Sequence, residues 1–134
     1  MILIVEDHAQ LRRILCQSLA ERDYEVISAA SGEEALGLFE AGLQCRLVFS
    51  DIRMPGRING LQLAQWLREH RPSVAVLLQT GYTHDGTDSF PVLRKPYSDE
   101  ELYATFATLI GGPEHNPVAP NEPVRAPVRG PGQS

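Results

Sequence analysis

The chain has 134 residues, 43% of them apolar, which is enough for one ordinary domain with a single buried core. Its formal net charge of -5 argues against nucleic acid as a main partner, because phosphate backbones are bound chiefly by clustered Lys and Arg. The apolar runs are far shorter than the roughly 20 residues of a membrane-spanning helix, and acidic residues follow the first run too soon for a secretory signal. We therefore expect a cytoplasmic protein with no membrane partner.

Five short apolar runs, most of them rich in Val, Ile and Leu, have the character of strands. They comprise residues 2–5, 25–28, 46–50, 74–79 and 91–94. Apolar residues at helical spacing lie between most of these runs, so strand alternates with helix along the chain. This order predicts an α/β fold in which a parallel sheet carries helices on both faces.

Side chains that can cap helices support the same element order. Three pairs match or resemble a capping box: Ser31 with Glu34, Asn59 with Gln62, and Ser98 with Glu101. The last helix is predicted over residues 99–110, with an apolar face that packs on the sheet.

The composition changes abruptly at Pro113, where the chain becomes rich in Pro and poor in large apolar residues. Residues 1–112 are therefore predicted to form the domain and residues 113–134 a disordered tail. A linker to a further domain is the alternative interpretation, although no such domain follows in this sequence.

The cysteines and histidines give no metal or relay pattern. Cys16 and Cys45 lack metal-ligand spacing and are predicted to be reduced, partly buried thiols. The four scattered histidines are expected to be solvated or to cap helices; they are His8, His70, His84 and His115.

Polar residues follow four of the predicted strands, at Glu6, Asp7, Asp51, Thr80 and Lys95. Each alone could be an ordinary cap or loop residue, but the ends of parallel strands meet at one edge of a doubly wound sheet, which is where such folds bind ligands. Three carboxylates gathered there would repel one another unless a cation were bound. Oxygen ligands and the lack of a His and Cys set favour Mg2+ as that cation.

The motifs at these positions resemble the receiver domains of two-component response regulators. They are Glu6-Asp7, Asp51-Ile52-Arg53-Met54-Pro55-Gly56, Thr80-Gly81 and Lys95-Pro96. The resemblance spans residues 1–112. It implies a flavodoxin-like, doubly wound, five-stranded parallel sheet in the order 2-1-3-4-5.

The resemblance also implies a role for each of these residues. Asp51 would be the nucleophile that attacks a phosphohistidine of a sensor histidine kinase or phosphotransfer protein. Glu6, Asp7, Asp51 and the backbone carbonyl of Arg53 would organise Mg2+, directly or through water. Lys95 would neutralise charge on the phosphoryl oxygens, and Thr80 would hydrogen-bond the new phosphoryl group. The Lys95-Pro96 peptide resembles the cis bond usual in this family.

The sequence departs from the family pattern between Thr80 and Lys95, which are separated by only 14 residues. The fourth helix of the family is therefore expected to be short or absent, one turn at most. Val92 stands where many receivers have an aromatic switch residue. Tyr82 and Phe90 flank the shortened segment, and they either substitute for that residue or cover the core where the helix is missing. The loop over residues 54–60 is one residue longer than the common form.

Arg53 and Tyr82 lie two positions after Asp51 and Thr80, where family side chains cover the acyl phosphate. We hypothesise that these bulky side chains exclude the hydrolytic water and prolong the phosphorylated state.

Several functions stay open at this stage. The first is a receiver that signals to an unknown downstream protein or passes the phosphoryl group on, and the chain could also be the receiver of a hybrid histidine kinase. The second is a phosphatase of the haloacid-dehalogenase type, which needs a second acid two residues after the nucleophile, where this chain has Arg53. That difference argues against a turnover enzyme. The third is a receiver-like binding module that is never phosphorylated.

Overall fold

The computed structural model of the protein describes residues 1–81 and 89–113. Strands and helices alternate along this part of the chain. The strands are β1 (Ile2–Val5), β2 (Val26–Ala29), β3 (Leu47–Asp51), β4 (Ala75–Thr80) and β5 (Val92–Arg94). The helices are α1 (Ala9–Glu21), α2 (Gly32–Glu40), α3 (Gly60–His70) and α4 (Asp99–Ile110).

The five strands form one parallel sheet in the order β2-β1-β3-β4-β5, which confirms the predicted fold class. Ile2 of β1 pairs with Val26 on one side and with Leu47 on the other. The chain therefore reverses its direction of winding between β1 and β3. The carboxyl ends of these two strands form the crevice in which doubly wound folds bind ligands.

Strands β2, β3 and β4 each begin and end one residue later than predicted. Glu25 and Arg46 contribute carbonyl oxygens that accept from Ile2 and Ala75, but these two residues precede the strands themselves. At the other end, Asp51 pairs with Gln79 and is the last residue of β3. The hydrogen-bonded ladder of the sheet therefore includes Asp51 and fixes its backbone.

Apolar residues cover both faces of the sheet. On one face, α1 and α4 contribute to a core of Ile2, Ile4, Leu15, Leu19, Tyr24, Leu47, Phe49, Leu77, Leu102 and Phe106. On the other face, α2 and α3 contribute to a core of Leu3, Val5, Ala29, Ala35, Phe39, Val48, Met54, Leu63 and Leu67. Odd and even residues of β1 point to opposite cores, as the two-residue period of a strand requires.

Each helix begins at a side chain that accepts a backbone N–H of its first turn. The predicted caps Ser31, Asn59 and Ser98 all do so, and the last two form complete capping boxes. His8 caps α1 by accepting the N–H of Leu11, as expected for a capping histidine.

The prediction of a fourth family helix of one turn at most falls on residues 82–88, which lie outside the described residues. Gly81 and residues 89–91 on either side form no helix. Phe90 and Val92 pack against a small cluster of Ile52, Ala64 and Leu78, and the guanidinium of Arg68 lies 4.0 Å from the centre of the Phe90 ring. These contacts support the interpretation that Phe90 covers the core.

The remaining predictions concern residues away from the sheet edge. Cys16 and Cys45 are free and partly buried, as predicted. His70 is exposed and stacks on Trp66, with ring centroids 4.6 Å apart. His84, His115 and the predicted tail after Pro113 lie outside the described residues. Over the described ranges, no helix is both long enough and apolar enough to cross a membrane.

Candidate functional site

The carboxyl edge of the sheet brings together the residues that the sequence singled out. Glu6 directly follows β1, Asp51 ends β3, Thr80 ends β4 and Lys95 directly follows β5. The N–H of Lys95 donates to the carbonyl oxygen of Thr80 at 2.8 Å, so the chain after β5 stays against β4. The Lys95-Pro96 peptide that follows is cis, as the resemblance implies.

Both carboxylate oxygens of Asp51 accept hydrogen bonds. Lys95 Nζ lies 2.8 Å from Oδ2, and the backbone N–H of Arg53 donates to Oδ1 at 3.3 Å. The side chain of Asp51 is 13% exposed and that of Lys95 is 33% exposed. The carboxylate is therefore held in place by two donors but can still be reached from solvent.

The backbone of Asp51 is held as tightly as its side chain. Ser50 Oγ donates to the Asp51 carbonyl oxygen at 2.9 Å, and Gly60 passes so close that an added Cβ would lie 2.0 Å from the same oxygen. The glycine that begins α3 is thus required by the close approach of the chain to β3. Together these contacts leave the acidic side chain little freedom to shift.

Glu6 is the most buried acid of the site, at 2% exposure. Its Oε2 accepts the N–H of His8 at 3.2 Å. Burial raises the pKa of the Glu6 carboxyl, and the negative charges of Asp51 and Asp7 raise it further, whereas the His8 N–H and the Lys95 charge act in the opposite direction. The negative charges of Asp51 and Asp7 therefore act on the Glu6 carboxylate.

The donor set fits a hard divalent cation. Glu6 and Asp51 supply carboxylate oxygens, Asp7 is exposed, and a positive ion would relieve the repulsion that Asp51 and Asp7 exert on Glu6. Within residues 1–81 and 89–113, no three His, Cys, Asp or Glu side chains lie together as a candidate metal cluster, so Glu6, Asp7 and Asp51 do not form a three-carboxylate group. Mg2+ usually takes only one or two carboxylates and keeps several waters.

Glu33, at the start of α2, holds the loop that follows Asp51. Its Oε2 accepts the N–H of Arg57 at 2.7 Å, and this hydrogen bond lowers the pKa of the carboxyl. Gly56 has a φ of +102°, and a Cβ there would lie 2.9 Å from the same oxygen. The lengthened loop between β3 and α3 is thus anchored on its neighbour.

Three further residues at the site were not predicted. Arg12 of α1 donates to the carbonyl oxygen of Glu6 at 2.8 Å. Gln79 Nε2 lies 3.4 Å from Glu6 Oε1, and the Tyr97 hydroxyl donates to Gln79 Oε1 at 2.7 Å. A sequence signal existed for Gln79, since it is the one amide side chain in the otherwise apolar β4 run before Thr80. Arg12 and Tyr97 gave none, because both look like ordinary residues of a helix face and a loop.

Arg53 and Tyr82 were expected to cover the site. Arg53 is exposed, and its role in covering the site stays a prediction. Tyr82 lies outside the described residues.

Known proteins are similar to this chain in sequence. A probable transcriptional regulator, ycf27, of Cyanophora paradoxa is 36% identical over 117 residues, which cover 81% of this chain and 47% of that protein. The sensor kinase CckA of Brucella abortus is 32% identical over 117 residues, covering 81% of this chain and 12% of that kinase. The chain thus spans about half or less of the length of these curated relatives.

Solved structures agree with the sequence comparison. The response regulator TrrA of Thermotoga maritima, solved in complex with Mg2+-BeF, has a TM-score of 0.74 and 34% identity, covering 81% of this chain and 97% of that one. The receiver domain of the hybrid histidine kinase CckA has a TM-score of 0.70 and 33% identity with the same coverage. The family described as the response regulator receiver domain matches residues 2–107. The chain therefore belongs to the response regulator receiver domain family of two-component systems.

Proposed function

We propose that Asp51 accepts a phosphoryl group from a phosphohistidine of a sensor histidine kinase or phosphotransfer protein, and that the modified domain changes its binding to a downstream protein. The observation that carries this proposal is the contact of 2.8 Å between Lys95 Nζ and Asp51 Oδ2 at the carboxyl edge of the sheet. A carboxylate that is reachable from solvent and lies beside a fixed ammonium has the surroundings that a nucleophile toward phosphorus needs.

The reaction exchanges one bond to phosphorus for another. An oxygen of Asp51 forms a bond to phosphorus while the bond between phosphorus and the histidine nitrogen breaks, and the imidazole leaves with that electron pair. The Lys95 ammonium lies where it can stabilise charge on the equatorial oxygens. The N–H of Arg53 keeps the carboxylate oriented for attack in line.

Glu6, Asp7, Asp51 and the carbonyl of Arg53 would hold Mg2+, directly or through water. The ion supplies charge neutralisation for the transferring group when it is bound. The similarity to TrrA, which was solved with Mg2+-BeF, supports this assignment. Thr80, which is 4% exposed at the end of β4, would hydrogen-bond the new phosphoryl group and so distinguish the two states.

The relatives suggest where the domain works. They include probable transcriptional regulators and a sensor kinase, so similar domains occur in both kinds of protein. For this chain we propose a cytoplasmic location, a sensor histidine kinase or phosphotransfer protein as phosphoryl donor, and a downstream protein partner. Turnover of phosphate esters is not expected, because Arg53 occupies the position where a haloacid-dehalogenase phosphatase has its second acid.

Arg53 and Tyr82 are proposed to lengthen the lifetime of the acyl phosphate by excluding water. Phosphate loss measured in Arg53→Asn and in Tyr82→Ala should be faster than in the unaltered chain. Unchanged lifetimes in both variants would remove this part of the proposal.

Intact-mass measurement tests the main proposal. The chain and its Asp51→Asn variant are incubated with acetyl phosphate or phosphoramidate and Mg2+. A single added phosphoryl mass in the unaltered chain, absent from Asp51→Asn and lost when EDTA is present, is the expected result. An unmodified chain contradicts phosphoryl acceptance, and many turnovers of phosphate-ester hydrolysis would point to a phosphatase instead.

A further inference from the structure

The Glu6 carboxylate is almost completely buried, so its hydrogen-bond partners decide how it is oriented. A buried carboxylate is costly unless donors satisfy it. The His8 N–H serves Oε2, and on the other side Gln79 Nε2 approaches Oε1 at 3.4 Å. Gln79 is fully buried and lies on β4, whereas Glu6 follows β1, so this contact spans the intervening strand β3, whose Asp51 pairs with Gln79.

The orientation of the Gln79 amide is determined by Tyr97. The tyrosine hydroxyl donates to Gln79 Oε1 at 2.7 Å, so the amide NH2 group must point the other way, toward Glu6. The reverse orientation would place an amide oxygen against a carboxylate oxygen. The hydrogen bond from Tyr97 therefore directs the Gln79 NH2 group toward Glu6, which lies on the opposite side of β4 from Tyr97.

Tyr97 is itself held in a defined position. It follows Pro96 directly and precedes Ser98, the cap of α4, and its ring packs edge-on against Phe49 with centroids 6.3 Å apart. Burial raises the pKa of the Tyr97 hydroxyl far above its ordinary value, and the nearby negative charges of Glu6 and Asp51 raise it further. The hydroxyl thus stays protonated and is able to donate to Gln79 Oε1.

We propose that Gln79 and Tyr97 are positioning residues, which hold the Glu6 carboxylate ready for the divalent cation and connect it to the first turn of α4. This inference rests on the proposed function, since it concerns the same acidic site. Glu6, Gln79, Tyr97 and the cap of α4 lie in series. A shift of the Glu6 carboxylate on cation binding is therefore passed through the Gln79 amide to Tyr97.

The series provides a route from the acidic site to the surface that does not use an aromatic residue on β5. Val92 occupies that position and packs against Ile52, Ala64 and Leu78 instead. Tyr97 is an aromatic residue two positions after Lys95. Its hydroxyl is hydrogen-bonded to Gln79 of β4, which limits the movement of the ring between rotamers. The first turn of α4 is consequently the element expected to respond.

The Tyr97→Phe variant tests the series while it retains the ring and its packing on Phe49. Loss of the hydroxyl leaves Gln79 Oε1 buried without its donor and frees the amide to turn. Calorimetric titration of the full chain with Mg2+ should give an affinity about 3- to 10-fold weaker than that of the unaltered chain. Gln79→Leu, of similar size but without donor or acceptor, should weaken Mg2+ binding at least as much.

Tyr103→Phe is the matched control, because Tyr103 lies on α4 and its hydroxyl contacts Ser18 Oγ at 2.6 Å, away from the acids. Its Mg2+ affinity should be unchanged. A wild-type affinity in both Tyr97→Phe and Gln79→Leu overturns the inference and leaves the proposed function intact. An unaltered chain that binds no Mg2+ overturns the proposed function and this inference with it.

Amide hydrogen exchange tests whether Tyr97 passes a change at the acidic site on to α4. A purely structural role of Tyr97 would not produce this response. Addition of Mg2+ and beryllofluoride should change the exchange rates of the amides at residues 98–102 in the unaltered chain and in Tyr103→Phe. In Tyr97→Phe, at saturating Mg2+, this change should be lost. Persistence of the full change in Tyr97→Phe would show that α4 responds by another path and would overturn the proposed connection.

Discussion

Glu33 shows how one exposed side chain can shape the site without touching it. Its carboxylate accepts the Arg57 N–H and so ties the loop after Asp51 to the start of α2. The loop contains Arg53, whose N–H orients Asp51 and whose carbonyl is a proposed Mg2+ ligand. A hydrogen bond at the far end of a loop can thus limit the positions that the near end adopts.

The Glu33 contact should be visible in the pH dependence of stability. The folded pKa lies below the ordinary value of 4.5 because of the Arg57 N–H, so the stabilisation is fully present above pH 4.5 and is lost as the pH falls through the folded pKa. Urea unfolding should show the unaltered chain more stable than Glu33→Gln at neutral pH. The two midpoints should converge in acid.

Glu40→Gln, which removes the same charge from the last turn of the same helix, is the control and should not lower stability at neutral pH. A constant difference between Glu33→Gln and the unaltered chain across the acid range would contradict the assigned ionic contribution.

At this scale the sequence predicted the positions of the site residues better than their contacts. Glu6, Asp51, Thr80 and Lys95 could be placed at one edge, because strand ends in a parallel sheet converge whatever the side chains are. The Gln79 contact with Glu6 could not be predicted, since the two residues are separated by 73 positions and their meeting depends on sheet register. Arg12 and Tyr97 depend in the same way on how α1 and α4 pack.

The elements around Asp51 differ in how much room they leave for a side chain. Gly60 begins α3 against the Asp51 carbonyl, whereas nothing lies within 4 Å of the Cβ position at Gly37, in the interior of α2. Both are helical glycines, and sequence alone treats them alike.

The same substitution at these two glycines should therefore have opposite effects. Gly60→Ala must displace the Asp51 backbone, so it should lower the free energy of unfolding by about 1–3 kcal/mol and reduce phosphoryl acceptance at Asp51. Gly37→Ala should raise the free energy of unfolding by about 0.5–1 kcal/mol, because alanine restricts the unfolded chain. Urea unfolding measures both effects. A stable, fully phosphorylated Gly60→Ala variant would show that the helix start can move away without cost.

The order and type of the elements were predictable, and so were the bounds of β1 and α4, while the ends of β2, β3 and β4 were predicted one residue too early. Apolar runs and capping pairs identify strands and helices locally, but the first and last ladder bonds depend on the neighbouring strand. Arg46 illustrates this, because its N–H donates to Met1 and its carbonyl accepts from Ala75 although it precedes β3. The segment after Thr80 is a second case. Its composition predicts that the family's fourth helix is short or absent, but it does not indicate which contacts take the place of that helix.

On the scale of the whole molecule, α4 closes one face of the sheet. Phe106 is fully buried there, with edge-on contacts to Tyr24 and Phe49 at centroid distances of 5.5 Å each. At the end of the helix, the Arg46 guanidinium donates to the carbonyl oxygens of Ile110 and Gly112. Helix α4, which begins beside Tyr97, is thus held to the rest of the domain at Phe106 and at its C-terminal end. A change in its first turn can occur while these contacts are kept.

Two alterations should show which part of the chain contributes to the stability of the domain, the last helix or the segment that follows it. Phe106→Ala removes a ring packed between two others and should cost about 3–5 kcal/mol, a large part of the roughly 5–15 kcal/mol typical of a domain. A chain shortened to end at Pro113 should keep the unaltered urea midpoint, because residues 114–134 contain no apolar side chain larger than Val or Pro with which to cover a core. If the shortened chain instead lost stability comparable to that lost by Phe106→Ala, the boundary proposed at residues 112 and 113 would be wrong, and part of the Pro-rich segment would have to pack on the receiver.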